Sequence, residues 1–231
     1  MRIPIPARTD DFVRNEFDDE ESWAHGRVGS IGASEVPIVL GIAPSSWRNA
    51  RELWAEKTGR KAHDSEGNDN TRRGQRAEPH IRELFAIRHP DLKVYDGTNC
   101  IFRSRKYPWL SCSLDMIIVD GKGDCYVGEI KDVRYTAHWR GDEYPLWYRY
   151  QCIAQLLVTG WKGAILIPNI SYDFGGGKTW LDGVAESSVR ERHIVIRRSE
   201  VRGQFAGIVR ETKAFHESIV NGTEPEVIIG R

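Results

Sequence analysis

The stretch GDCYVGEIKDV, residues 123–133, constrains this chain more than any other. Tyr126, Val127 and Ile130 mark it as a strand bound for an interior, yet Glu129 and Lys131 sit inside it, two residues apart. Side chains in a strand alternate with period two, so the acid and the base share one face. Burying such a pair costs free energy unless good geometry or a further partner compensates. Just upstream, DMIIVDGKGDCYVGE places two β-rich runs around DGKGD, a loop dense in turn residues, which predicts a hairpin. With Lys122 at the midpoint, Asp115 and Glu129 lie equally far from it and face each other, Cβ atoms about 4.5–5.5 Å apart. Two carboxylates so close repel unless a cation or proton lies between them, and Lys131 neutralises only one. A hard divalent cation, Mg²⁺ or Mn²⁺, held by one or two carboxylates and water, meets that demand, and the Ile130 carbonyl could add an oxygen. A structural salt bridge at a sheet end is the alternative that spacing alone leaves open.

The 231 residues carry 33 Lys and Arg against 33 Asp and Glu, so bulk charge predicts no polyanionic partner. A nucleic-acid site would need its positive charge gathered on one surface. No apolar run approaches the roughly 18 residues of a membrane span, and nothing at Met1 reads as a signal peptide. Cys100, Cys112, Cys125 and Cys152 form no C-x-x-C pair and sit among apolar neighbours, which suits reduced thiols in a cytoplasm. No repeat or long linker divides the chain, so one domain over 1–231 is expected.

Ser34 is a candidate cap before a short apolar run stopped by Gly41, and Ser46 before a helix ended by Gly59. Further helices are expected over 71–88, with Pro79 at a start or kink, over 147–159, and from near Ser199. Strands are expected around 93–102, 114–119, 125–131, 163–170, 178–184 and 192–197, the last two joining the final helix in a C-terminal part over 178–222. HDSEGNDN, residues 63–70, reads as a loop. Strands and helices mixed in this order argue an α/β sheet with helices on its faces. FGGGKT ends like a phosphate-binding loop, but Tyr172 stands where that motif requires Gly. TRRGQR could touch a DNA backbone or simply open a solvated helix.

An Asp beside an acid-x-Lys strand resembles the PD-(D/E)XK nuclease core, with SLD where the name expects Pro-Asp. More narrowly, the chain resembles the YqaJ viral recombinase family, which includes the lambda-type phage exonucleases. The likeness runs in order over about 23–167: WAHGRVGSIGASEV, LWAEKTG, RRGQRAEP (with Arg73 where Trp is usual), SCSLDMII, GEIKDV and YRYQCIAQLLVTGW. It implies a restriction-endonuclease-like core, a central mixed β-sheet flanked by helices.

The resemblance also implies roles. Asp115 and Glu129 would ligate one or two Mg²⁺ or Mn²⁺ ions with the Ile130 carbonyl, and Glu78 would complete the site directly or through water. Lys131 would orient or deprotonate the attacking water and offset transition-state charge. Gln151 would hydrogen-bond that water or Lys131, with Tyr148 one turn earlier on the same face. Arg27, Ser34 and Ser113 would form a pocket for a terminal 5′-phosphate. The expected activity is hydrolysis of linear double-stranded DNA, 5′ to 3′, in phage-type homologous recombination. A trimeric ring of identical chains and a single-strand annealing protein are the partners implied. An endonuclease selective for structure or sequence, or a non-catalytic DNA-binding subunit, are the competing readings.

Overall fold

The structure, a computed structural model, describes residues 3–6, 8–62, 69–134, 137–139, 143–171 and 193–226. Among them the chain runs β1 (Phe12–Glu16), α1 (Glu20–Gly26), β2 (Ile31–Gly32), a 3₁₀ turn (Ala33–Glu35), α2 (Val36–Val39), α3 (Ala50–Lys57) and α4 (Asp69–Arg88). It continues through β3 (Lys93–Asp96), β4 (Cys100–Ser104), β5 (Leu110–Cys112), β6 (Met116–Val119), β7 (Cys125–Arg134), a second 3₁₀ turn (Ala137–Trp139) and α5 (Leu146–Thr159). Strands β8 (Gly163–Ser171) and β9 (Ile194–Arg197) and helix α6 (Arg198–Asn221) complete it. One sheet has the order β1-β4-β5-β2, the other β3-β6-β7-β8-β9. Both are mixed, because β2 with β5 and β7 with β8 pair in parallel while their neighbours are antiparallel. The expected strand at 178–184, the FGGGKT segment and most of the 63–70 loop lie outside the described residues.

The β6–β7 hairpin turns where its composition says it should. The Asp120 carboxylate accepts from the backbone N–H groups of Lys122 (2.9 Å) and Asp124 (3.0 Å), and Gly123 takes φ 85°. The ladder pairs Met116 with Gly128 and Ile117 with Val127, a register centred on Lys122. Alternation then sorts the strand residues between two cores. Met116, Ile118, Ile130 and Ile167 pack with Phe85 of α4. Ile117, Val127, Ala164 and Leu166 join the larger cluster with Ile153, Leu156 and Val158 of α5. Helix α6 buries Val201, Ile208 and Phe215 against that cluster, with Phe205, Val209 and Ile219 half-buried beside them.

The expected strand at 93–102 is two strands, β3 and β4, in different sheets. Backbone geometry breaks it: Asn99 adopts φ 57°, and Gly97 presses so close to Leu114 that a Cβ there would lie 2.7 Å from the Leu114 carbonyl oxygen. The chain crosses back between the sheets at 113–115, beside that first crossing. Helix α3 is capped by Asn49 rather than Ser46. The Asn49 side chain accepts from Glu52 N–H and the Glu52 side chain from Asn49 N–H, both at 3.0 Å, a reciprocal cap that Ser46 is too far upstream to make. Ser34 does not cap either; it lies inside the 3₁₀ turn, whose leading residue is Gly32. Pro79 falls inside α4, at an exposed position where the unserved carbonyl one turn earlier can meet water. Cys100, Cys112 and Cys152 are buried free thiols, and burial pushes the Cys100 thiol up to about 11. Among the described residues no helix is long and apolar enough to cross a membrane.

Candidate active site

Strand alternation turns Glu129 and Lys131 together toward α5, away from the Ile130 side chain. Glu129 is 1% exposed, so its charge needs partners inside the protein. Its Oε1 accepts from Lys131 Nζ at 2.5 Å and from the Gln151 side-chain amide. Its Oε2 accepts from Gln155 Nε2 at 2.6 Å. The two glutamines stand one helical turn apart on α5, and α5 is the connection between the parallel strands β7 and β8. An ammonium and two amides therefore compensate the buried carboxylate. Gln151 was expected to serve water or Lys131; here its amide goes to Glu129 as a third donor beside Lys131 and Gln155.

Asp115 lies one residue before the first ladder pair, and the same register extended by one step sets it opposite Glu129. Its Oδ2 accepts from the Ile130 N–H at 2.7 Å. Arg82 of α4 fixes it from behind, donating to the Asp115 carbonyl at 3.0 Å and to Asp96 at 2.7 Å. Burial, then the nearby Glu129 charge, lifts the Asp115 carboxyl well above the usual range, with Lys131 opposing and Glu78 adding. Burial also raises Glu78 on α4; Lys131 opposes this and Glu129 reinforces it. Burial disfavours the Lys131 charge, but Glu129 and Asp115 outweigh it and hold the ammonium above its ordinary pKa. Three carboxylates share one ammonium, a surplus of negative charge that one cation would relieve.

Among the described residues no three His, Cys, Asp or Glu side chains converge into a finished metal cage. Magnesium-type ions do not need one, since one or two carboxylates with water suffice. Asp115 and Glu129, with Glu78 in electrostatic range, fit that class of ion.

Tyr148, on the first turn of α5, sets its ring 5.1 Å from Lys131 Nζ. The Arg27 guanidinium stacks 4.7 Å over Trp23, whose indole N–H donates to Ser113 Oγ at 3.1 Å, so Arg27 and Ser113 flank one ring. Ser34 is exposed on its 3₁₀ turn; Gly32, two residues earlier, faces Arg27, and a Cβ there would lie 3.0 Å from Nη2. The Ser113 carbonyl accepts from Gln155 Nε2 at 3.3 Å, which ties this group to Glu129 through one side chain.

Sequence reasoning passed over three supports. Gln155 was readable four residues after Gln151 on the same helical face. Asp132, next to Lys131, has a fully buried side chain that accepts from Arg73 Nε and Asn169 Nδ2, each at 2.7 Å. Arg73 thus bolts α4 to the strand bearing Lys131. Behind Arg27, buried Glu35 pairs with Lys57 at 2.8 Å and Arg48 at 3.2 Å.

Comparison with known proteins places this geometry in context. The model of the YqaJ-like viral recombinase domain matches residues 22–162. An uncharacterized protein, YqaJ of Bacillus subtilis (strain 168), is 25% identical over 155 residues, covering 66% of this chain and 46% of that protein. The matched part thus spans about half the length of that curated relative. Among solved structures, the alkaline exonuclease LHK-Exo from Laribacter hongkongensis superposes with a TM-score of 0.63 at 20% identity, covering 88% of this chain and 94% of that one. A phage-related exonuclease from Haemophilus somnus 129PT gives 0.53 at 11% identity, covering 84% and 96%. These likenesses show a shared PD-(D/E)XK-type fold.

Proposed function

This chain belongs to the YqaJ-like viral recombinase family, and from that premise we propose that it is a divalent-metal-dependent DNA exonuclease. Its substrate in this reading is linear double-stranded DNA, degraded from a 5′ end in phage-type homologous recombination. The observation that carries the proposal is the buried Glu129–Lys131 pair with Asp115 opposite, at the edge of a surplus of carboxylate charge.

Asp115, Glu129 and Glu78 would hold one or two Mg²⁺ or Mn²⁺ ions, with the Ile130 carbonyl as a further oxygen. Bound there, a cation supplies Lewis acidity toward water and the scissile phosphate. The protein's own groups do the rest. Lys131, held as an ammonium, orients the attacking water by hydrogen bonding and offsets charge building on the phosphoryl oxygens. Gln151 and Gln155 keep the Glu129 carboxylate fixed, so little reorganisation accompanies the reaction. Arg27, Ser34 and Ser113 would receive a terminal 5′-phosphate, a dianion suited to a guanidinium fork and hydroxyls. A ring of three chains around the duplex would gather positive potential without a basic chain, and a single-strand annealing protein would take the product strand.

The test is a time course on end-labelled, 5′-phosphorylated duplex with Mg²⁺ and with chelator. Lys131→Ala should abolish hydrolysis while DNA still binds. Turnover preserved in that variant removes Lys131 from the mechanism, and rapid cutting of covalently closed circles replaces the exonuclease by an endonuclease.

A further inference from the structure

Aromatic rings run outward from Lys131. Tyr148, against the ammonium, packs on Trp147 (5.8 Å between ring centroids), Trp139 (5.9 Å) and Trp47 (6.4 Å). Trp47 and Trp147 meet at 6.5 Å, and His138 sits edge-on to Trp147 at 5.1 Å. These are ordinary separations for interacting rings, yet the cluster does not close over itself. Trp47 is 37% exposed, and Trp147 and His138 border an open groove of about 610 Å³, within the usual range of ligand sites. Arg149, which donates to the Tyr144 hydroxyl at 2.6 Å, sets a cation on the same groove.

We infer that this groove and the exposed Trp47 ring beside it, in contact with the groove-lining Trp147, bind unpaired nucleobases of single-stranded DNA, with Trp47 as the outer stacking ring and Arg149 beside the backbone phosphates. The inference rests on the nuclease reading of the Lys131 site and deepens it. Along its length duplex DNA presents base edges and phosphates, whereas an aromatic surface needs a base face, which every unpaired nucleotide offers. The rings are continuous with Lys131 through Tyr148, so nucleotides next to a phosphate held there fall within their reach. An aromatic platform flanked by a cation is the arrangement that grips single strands with little regard to sequence.

The test is fluorescence anisotropy of a labelled single-stranded oligo-dT in chelator, where no hydrolysis occurs. Trp47→Ala should weaken binding by about five- to 150-fold, the range set by one lost base–aromatic stack, and Trp47→Tyr should restore most of it. Binding of blunt duplex should change less than about twofold, and the unmutated chain should bind an abasic strand far more weakly than oligo-dT. Equal binding of abasic and dT strands, or a Trp47→Ala effect under about twofold, overturns the inference. Hydrolysis of linear duplex is scored separately. Hydrolysis without Trp47-dependent binding overturns the groove alone; Trp47-dependent binding without hydrolysis upholds the groove and overturns the nuclease reading.

Discussion

Replacing Gln155 by Leu tests whether the buried Glu129 carboxylate is held as an anion by its donors. The change nearly conserves volume but removes the 2.6 Å bond to Glu129 Oε2 and the 3.3 Å bond to the Ser113 carbonyl. A hydrogen bond to a charged, buried group contributes about 1.5–3 kcal/mol. Part of that loss is offset, because among the described residues the Gln155 carbonyl oxygen is buried without a donor, and Leu removes that defect. The net destabilisation should be about 1–2 kcal/mol, which in a chain of this size lowers Tm by roughly 2–8 °C. Urea unfolding in chelator measures it, and a double-mutant cycle with Glu129→Gln isolates the contact. A coupling energy above about 1 kcal/mol is expected between the two positions. If the two effects add within about 0.5 kcal/mol, Glu129 does not depend on Gln155 and this account of its burial is wrong.

Gly160 ends α5 at φ 71°, and a Cβ there would fall 2.4 Å from an Asp11 carboxylate oxygen. The positive φ alone predicts that Gly160→Ala costs about 1–2 kcal/mol in thermal unfolding, since the exposed Asp11 carboxylate can swing aside, and a loss below about 0.5 kcal/mol would mean that this helix end relaxes freely. Burial works against the Glu35 charge, but Lys57 and Arg27 outweigh it and hold the folded carboxyl below its ordinary value of 4.5. Its contribution is therefore fully present above about pH 4.5 and is lost as pH falls through the lower folded value. Glu35→Gln should destabilise at neutral pH and lose that deficit in acid; a constant deficit in urea midpoints from about pH 7 to 3 contradicts the assignment.

The centre of the site was legible because a two-residue alternation and a turn fix it locally. Asp120, Gly121, Lys122 and Gly123 set the hairpin midpoint, and the midpoint dictates that Asp115 meets Glu129. The helix caps were less legible, since several polar residues precede each helix and only reciprocal bonding separates them; the Asn49–Glu52 spacing was nonetheless in plain view. The break within 93–102 was not legible. A continuous β-favouring run hides it, and its cause is the approach of Leu114, distant in sequence, to Gly97. Glu78 on α4 and Arg27 just after α1 likewise lie far from the hairpin in sequence, so only the resemblance to a known family pointed to them.

The two short strand-to-strand crossings between the sheets lie against one another at Gly97 and Leu114, and the second carries Ser113 and Asp115 on either side of Leu114. That seam works like a shared hinge pin. Any sliding of one sheet over the other would move Ser113, proposed to meet a strand end, and Asp115, proposed to serve the scissile bond, by the same lever. In the proposed nuclease, recognition and cleavage would then lose alignment together rather than one at a time.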